Sequence, residues 1–136
     1  FEEFNFPWNK LVLEVTETSA VGNLAQASDF ICYCRELGIR VALDDFGTGM
    51  ASFEYLKHLP LDVVKIDGSF VRDMLEDPVD LAMVSYVHDI SKLRGQETIA
   101  EFVEEQQHVE ELKKIGIDYG QGYFLEKPKP LSEWLV

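Results

Sequence analysis

The sequence predicts a parallel α/β fold in which short strands alternate with helices. Five apolar runs of strand length are separated by stretches whose apolar residues recur at helical spacing. Glycines follow three of the helical stretches, and a proline follows a fourth. This alternation is typical of a parallel sheet covered by helices, and both a doubly wound sheet and a (β/α) barrel fit it.

The predicted strands are short and mostly aliphatic. Four of the five have only four or five residues, a length that favours a strand over a helix. Continuous apolar runs of this kind are typical of parallel strands that are buried on both faces. The strands comprise residues 11–15, 40–44, 63–66, 97–100 and 119–125.

The predicted helices have apolar residues at every third or fourth position. Asp77 and Pro78 are typical of a helix start, as N-cap and first helical residue. Gly38, Gly95 and Gly116 are typical of the position just past a helix end. The helices cover residues 20–37, a short segment through Phe53, Leu56 and Leu59 that ends at Pro60, and residues 77–95, 105–115 and 131–136.

Composition indicates a globular, cytoplasmic protein. The 136 residues, 46% hydrophobic and 27% charged, suit one domain or part of a larger one. The formal net charge of −13 argues against DNA as a partner, because nucleic-acid coat proteins are usually basic. No apolar run reaches the roughly 18 residues of a membrane segment, and no basic-then-apolar leader is present. Because the chain begins at Phe1, it is expected to be part of something longer.

Polar or charged side chains stand at the end of every predicted strand. Active sites of parallel α/β folds lie at these carboxyl ends, so the side chains are expected to share one site. A single polar strand end would be a weak signal, but five in five strands are hard to assign to chance. The residues are Glu14, Asp44 with Asp45, Lys65, Glu101 and Gln121.

The adjacent acids Asp44 and Asp45 are the sharpest local signal. Successive strand residues point to opposite faces, so the two carboxylates can converge only if Asp45 lies past the strand, in a loop that Gly47 and Gly49 allow to turn. Converging carboxylates repel unless they are protonated or neutralised, and a divalent cation with oxygen ligands is a natural partner. The alternative is a turn or cap role for Asp45, and local spacing does not decide between the two.

Other strand-end residues have both a functional and a structural interpretation. Lys65, within an apolar strand, needs an anionic partner and could hold a water, contact a phosphate or form a structural ion pair. Glu101 fits a metal ligand or a general base, whereas Glu104 could simply begin the next helix. Glu17 could face the site, or, as an acid near the start of the next helix, it could interact favourably with the helix dipole. Gln121, flanked by glycines, would present an amide from a tight backbone position.

Aromatic residues and histidines add weaker signals. An aromatic beside a glycine, such as Tyr123 or Phe124, could stack on a base, although core packing is the commoner role. The three histidines lie without matching partners and are expected to be structural or exposed.

Five motifs, in order along the chain, carry a family resemblance. They are Leu-Glu-Val-Thr-Glu at 13–17, Asp-Asp-Phe-Gly-Thr-Gly at 44–49, Lys-Ile-Asp at 65–67, Ala-Glu-Phe-Val-Glu at 100–104, and Gln-Gly-Tyr at 121–123 with Lys-Pro at 127–128. Together they resemble the EAL family of cyclic-di-GMP (c-di-GMP) phosphodiesterases. The resemblance implies a TIM-like (β/α) barrel, here a partial barrel of about five parallel strands with helices. It also implies hydrolysis of c-di-GMP to pGpG with two Mg2+ or Mn2+ ions.

The resemblance further implies roles for individual residues. The metal ligands would be Glu14, Asp44, Asp45 and Glu101, with Asp44 bridging both ions. Lys65 would hold the attacking water, and either Glu101 or Lys65 would be the base.

The remaining motif residues would support the reaction or the substrate. By the same resemblance, Glu17 would steady the loop after Asp45, and Gln121 would belong to the Lys65 network. Glu104 would lie at the substrate edge, and substrate binding would involve Glu104, Gln121 and Phe124.

Some family features are absent from these residues. The Glu-Ala-Leu motif, the arginine that follows it and a metal-binding asparagine, all from earlier strands, are missing. Phe102 stands where many members have glycine, and Met50 where an aromatic residue is common. Residues 1–136 are therefore expected to be the C-terminal part of an EAL domain whose N-terminal strands lie elsewhere.

The expected partners follow from this assignment. They are c-di-GMP, a second copy of the chain that covers exposed sheet edges, and upstream sensory or GGDEF-type domains in the parent protein. The isolated fragment is expected to have little or no activity. Two alternatives stay open: a non-catalytic c-di-GMP receptor or degenerate regulatory module, and a doubly wound metal-binding domain unrelated to the family.

Overall fold

The structure, a computed structural model, describes residues 5, 7–47 and 57–134. Five strands are present: β1 Val12–Thr16, β2 Arg40–Phe46, β3 Val63–Ile66, β4 Glu97–Ala100 and β5 Tyr119–Gly120. A 3-10 turn, Trp8–Lys10, precedes them. The helices are α1 Glu17–Gly22, α2 Leu24–Glu36, α3 Gly68–Asp73, α4 Pro78–Leu93, α5 Gln106–Ile115 and α6 Leu131–Trp134.

The sheet has the winding of a (β/α) barrel. Its order is β1-β2-β3-β4-β5, so each strand lies beside its predecessor, and every pairing is parallel. A doubly wound sheet instead reverses its order at a switch point. The prediction of five parallel strands with helices is therefore confirmed, and the doubly wound alternative is wrong for the described strands.

The core lies between the sheet and its helices. Val41 and Leu43 of β2 and Val64 and Ile66 of β3 belong to this core, whereas Lys65 alternates to the opposite face. The helices contribute buried residues to the same cluster, namely Ile31 and Cys34 from α2, Val84 and Val87 from α4, and Leu112 from α5. Within the described ranges, no helix is long and apolar enough to span a membrane.

Local capping residues explain two differences from the predicted helices. The stretch predicted as one helix, 20–37, is two helices, because Asn23 ends the first and caps the second by accepting a hydrogen bond from the Gln26 N–H at 3.1 Å. Helix α3 was not predicted, and Asp67 caps it through the Ser69 N–H at 2.9 Å. Most of the helix predicted through Phe53, Leu56 and Leu59 lies outside the described residues, and residues 57–60, which are described, are not helical.

The fifth strand is shorter than predicted. Of the predicted stretch 119–125, only Tyr119–Gly120 pairs with β4. The chain then passes so close to the backbone of Val103 that a Cβ on Gly122 would collide with it. Hydrogen bonds from the Val103 N–H to the Gln121 carbonyl and from the Phe124 N–H to the Val103 carbonyl, at 3.0 and 3.1 Å, hold this turn in place of a strand.

A polar network joins α4, β4 and the start of β5 near the amino-terminal ends of the strands. Asp118 accepts hydrogen bonds from the Thr98 N–H and hydroxyl at 2.8 and 3.1 Å. The Thr98 oxygen lies 2.9 Å from His88 Nδ1, and Lys92 Nζ lies 2.6 Å from Asp118. Burial alone would raise the pKa of Asp118, but its bonds from Lys92 and Thr98 outweigh burial and hold the pKa below its usual value.

Asp118→Asn should destabilise the chain at neutral pH. The lowered pKa means that the carboxylate contributes stability above the unfolded-state value of about 3.9, and that this contribution is lost as the pH falls through the folded-state value. Urea unfolding followed by circular dichroism should show a loss of about 1–2 kcal/mol at pH 7. The loss should shrink towards about pH 2.

The matched control is Asp89→Asn, at an exposed position of α4, which should unfold like the parent chain. An equal loss for Asp118→Asn at neutral and strongly acidic pH would show that the charge contributes nothing.

Candidate functional site

A β-bulge places Asp44 and Asp45 side by side. Leu43 pairs with Val64 and Phe46 pairs with Ile66, so the two acids together lie opposite Lys65. Asp45 adopts a φ of 56°, in the left-handed region that aspartate tolerates better than most residues. The expectation that Asp45 lies past the strand is wrong, because β2 continues to Phe46 and the bulge supplies the extra residue.

Three carboxylates from two strand ends converge. One oxygen each from Asp44, Asp45 and Glu101 lie within 4.8 Å of one another. Glu101 directly follows β4, and its N–H donates to the Ile66 carbonyl at 3.2 Å, which ties it to the end of β3. The sheet thus brings together acids that are 56 positions apart in the chain (45 to 101).

Lys65 lies at the centre of this acidic group. The residue is 3% exposed, and its Nζ lies 2.7 Å from Glu14 Oε1, 3.2 Å from Glu101 Oε1 and 3.6 Å from Asp44 Oδ1. A buried ammonium requires anionic partners, and the position of Lys65 in an apolar strand predicted them. Glu14 therefore reaches the group through Lys65, and it is not one of the three clustered carboxylates.

The single ammonium of Lys65 cannot neutralise all the carboxylates that surround it. Burial alone would lower the pKa of Lys65, but hydrogen bonds with Glu14 and Glu101 and the charge of Asp44 raise it above its usual value. Burial and the neighbouring Asp44 raise the pKa of Glu101 to about 7. The pKa of Asp44 is lowered, because bonds to Glu101 and the charge of Lys65 outweigh burial. The pKa values of Asp44 and Glu101 thus shift in opposite directions, because the two carboxyl groups share a hydrogen bond beside Lys65.

Asp45 lies in an electrostatically crowded position. Burial and the charges of Asp44 and Asp67 raise its pKa. Three oxygen donors within 4.8 Å and an excess of negative charge fit a hard divalent cation. The described residues therefore include a carboxylate set that could hold Mg2+ or Mn2+.

A pocket of about 360 Å3 lies beside the carboxylates, a volume within the usual range for small-molecule sites. It spans the ends of β2, β4 and β5. Of the residues predicted to bind substrate, Glu104 and Gln121 line it, whereas Phe124 does not and its neighbour Tyr123 does. The lining comprises Asp45, Glu101, Phe102, Glu104, Gln121, Gly122, Tyr123, Glu126 and Pro128.

Backbone hydrogen bonds hold Glu104 and Gln121, two of the three residues predicted to bind substrate, in the pocket wall. The Gln121 N–H donates to the Ala100 carbonyl at 2.8 Å, and the Glu104 N–H donates to His108 Nδ1 at 3.3 Å. Because Nδ1 accepts, His108 carries its proton on Nε2, which lies 3.3 Å from the Arg72 carbonyl. In the described part of the chain, Lys65 Nζ contacts Glu14, Asp44 and Glu101 and makes no direct hydrogen bond with the Gln121 amide, so the place of Gln121 in the Lys65 network stays a prediction.

Glu17 is buried at the first position of α1, behind the N-cap Thr16. An acid at this end of a helix is favoured by the helix dipole. The loop after Asp45 that Glu17 was predicted to steady lies largely outside the described residues, which stop at residue 47 and resume at residue 57.

Phe102 is a site residue that sequence periodicity could not identify. It follows Glu101, lines the pocket and remains 52% exposed. Its φ of 58° is left-handed, which costs a residue with a Cβ about 1–2 kcal/mol. The departure from the family's glycine at this position was the one signal that could have indicated it.

Comparison with known proteins identifies the family. The EAL domain family model matches residues 2–128. The chain is 43% identical over 131 residues to the cyclic di-GMP phosphodiesterase PdeB of Shewanella oneidensis, covering 96% of this chain and 15% of that protein. It is 40% identical over 126 residues to the cyclic di-GMP phosphodiesterase PdeF of Escherichia coli K12, covering 93% of this chain and 17% of that protein.

A solved structure agrees with these matches. The PaMucR phosphodiesterase in complex with c-di-GMP superposes with a TM-score of 0.88 at 33% identity, covering 95% of this chain and 52% of that one. The described strands are thus part of the TIM-like barrel of such proteins, and the chain spans about half of that solved chain. The 136-residue chain, homologous to cyclic di-GMP phosphodiesterases over almost all of its length, belongs to the EAL domain family.

Proposed function

We propose that the chain is the C-terminal part of a phosphodiesterase domain that hydrolyses c-di-GMP to pGpG with two metal ions. The observation that carries this proposal is the group of Asp44, Asp45 and Glu101 carboxylates around the buried Lys65, next to a pocket of ligand size. Relatives named cyclic di-GMP phosphodiesterases and a relative solved with c-di-GMP support the substrate.

The proposed metal ligands are Glu14, Asp44, Asp45 and Glu101. Their oxygens suit Mg2+ or Mn2+, and a cation would favour the charged form of Asp45, whose pKa is raised by burial and by the charges of Asp44 and Asp67. When bound, two such ions activate water and stabilise the charge on the reacting phosphate. Glu14 can join them only by sharing its carboxylate with Lys65, whose Nζ lies 2.7 Å from Glu14 Oε1.

Lys65 and Glu101 have separate proposed roles. Lys65 has a raised pKa and stays protonated, so it can donate a hydrogen bond to the attacking water but cannot take its proton. Glu101, with a pKa of about 7, can accept a proton at neutral pH, which suits a general base. Glu101 is therefore the proposed base, and Lys65 is the proposed hydrogen-bond donor to the water.

The pocket is the proposed substrate site. Glu104 and Gln121 present carboxylate and amide groups that can hydrogen-bond the base edges or sugar of a dinucleotide. Phe124 is 46% exposed and directly follows Tyr123 of the pocket lining, and it is proposed as a further substrate contact. Glu17 is proposed to steady the loop that follows Asp45.

A longer domain and a second copy are further proposed partners. The chain covers 52% of the solved PaMucR chain, and within the described ranges β1 and β5 each pair on one side only. Unpaired strand edges attract other strands. In the complete protein, the remaining barrel strands would cover these edges, with sensory or GGDEF-type domains upstream. In the isolated chain, a second copy would cover them.

Asp45→Asn should abolish turnover in the full-length protein that carries this segment. The amide keeps the shape of the side chain but loses the charge that a cation needs, so kcat should fall at least about 100-fold. Chromatography of pGpG released from c-di-GMP in Mg2+ measures the change, and Mg2+ titration calorimetry should show weakened metal binding.

Asp89→Asn, on the exposed face of α4, is the matched control and should leave both readouts unchanged. Normal turnover by Asp45→Asn would refute the two-metal assignment. Tight c-di-GMP binding by the parent protein without any turnover would identify a receptor instead.

Lys65→Met should impair both folding and reaction. The methionine fills the space of the lysine stem but leaves three carboxylates without their cation. The free energy of unfolding should fall by about 2 kcal/mol, less than the roughly 3–5 kcal/mol of a fully buried pair because Glu14 is half exposed. Urea unfolding and turnover in the full-length protein measure the two effects.

Lys114→Met removes an exposed ammonium that is paired with Glu111 on α5 and should change neither quantity. A stable Lys65→Met protein with full turnover would contradict both roles of Lys65.

The isolated 136-residue chain should self-associate and hydrolyse c-di-GMP slowly or not at all. In the described part of the chain, β1 and β5 each have one unpaired edge, which favours a dimer, and the substrate site is proposed to need strands from the rest of the domain. Light scattering gives the mass, and the pGpG assay gives the rate beside the full-length protein. A monomer with fast, Mg2+-dependent turnover would contradict this proposal.

A further inference from the structure

Phe102 combines an unfavourable backbone conformation with an exposed ring at the pocket. Its φ is 58°, yet 52% of the residue is exposed and the ring is not part of the buried core. The next residue, Val103, is fully buried and anchors the segment. Because burial does not compensate for the strain, the strain points to a functional use of the ring.

The ring of Phe102 packs against the backbone at the start of α3. It lies directly over Gly68, where even a single added Cβ would collide with the Phe102 ring carbons. Gly68 is buried and follows Asp67, the N-cap of α3. The close approach holds one part of the ring in place, while the exposed part borders the pocket that Glu104 and Tyr123 also line.

We propose that Phe102 is a stacking surface for one guanine base of the bound dinucleotide, an inference that rests on the proposed c-di-GMP function. An aromatic ring offers a flat apolar face to any base, and stacking requires a ring that is exposed and held in one orientation. Phe102 meets both conditions. Its position directly after Glu101 would place the base beside the reacting phosphate.

Phe102→Leu should weaken substrate binding without slowing the reaction step. Leucine keeps an apolar side chain but has no flat face, so KM should rise about tenfold with kcat unchanged. Phe102→Tyr keeps the ring and should retain the parent KM. Both are measured with c-di-GMP in the full-length protein, and Kd is measured with the product pGpG.

Gly68→Ala independently tests the position of the Phe102 ring. The added methyl should displace the Phe102 ring and raise KM by a similar factor. In a Phe102→Gly background the ring is gone, so Gly68→Ala should then have no further effect on KM. Independent, additive effects of the two substitutions would overturn the stacking geometry.

Phe30→Leu is the matched control, since Phe30 is 47% exposed on α2 and does not line the pocket. It should leave KM, kcat and stability unchanged. A parent-like KM for Phe102→Leu, in a protein that turns over c-di-GMP normally, would overturn the role of Phe102 alone. Failure of the parent protein to bind c-di-GMP at all would overturn the proposed function as well.

Discussion

The buried ammonium of Lys65 is the interaction on which the carboxyl edge of the sheet depends. Glu14, Asp44 and Glu101 come from three different strands or strand ends, and each contacts Lys65 within 3.6 Å. Without a shared cation, carboxylates at this separation would repel one another and take up protons. Lys65 therefore allows the strands to bring acids together, although one ammonium cannot neutralise all of them.

The charged groups at the two edges of the sheet have different electrostatic surroundings. At the amino-terminal edge, Asp118 is matched by Thr98 and Lys92, and its pKa lies below the usual value. At the carboxyl edge, partial burial and neighbouring acids raise the pKa values of Asp45 and Glu101. Such a difference is typical of parallel α/β proteins, where one edge stabilises the fold and the other carries the site.

Periodicity was sufficient to predict most elements and the edge at which the site lies. Repeating apolar positions predicted all five strands. Because the sites of parallel α/β folds lie at the carboxyl ends of the strands, the sequence also predicted that Lys65 lies among acids. The differences arise from single residues whose effect depends on distant parts of the chain. The turn at Gly122 replaces the end of the predicted fifth strand because Val103, about 20 positions earlier, leaves no room for a side chain.

The bulge at Asp44 and Asp45 shows why the details of the site escape sequence patterns. Strand alternation forbids adjacent side chains on one face, and only a change of register against Lys65 permits it. That register is set by pairing with β3. The residues of β3 lie outside any short stretch of sequence around the two acids. The prediction that the two carboxylates converge was therefore correct, but the predicted backbone was wrong, because a bulge and not a loop brings them together.

Backbone strain in the described residues is concentrated at the same place. Within those ranges, the non-glycine residues with positive φ are Asp45 and Phe102, and both line the pocket. Neither belongs to the buried core, so packing does not account for their conformations. Strain that persists at a functional edge is held by the surrounding structure, here the pairing of β2 with β3 and the anchoring of Val103. The rigid sheet thereby holds in position two side chains that a relaxed backbone would point elsewhere.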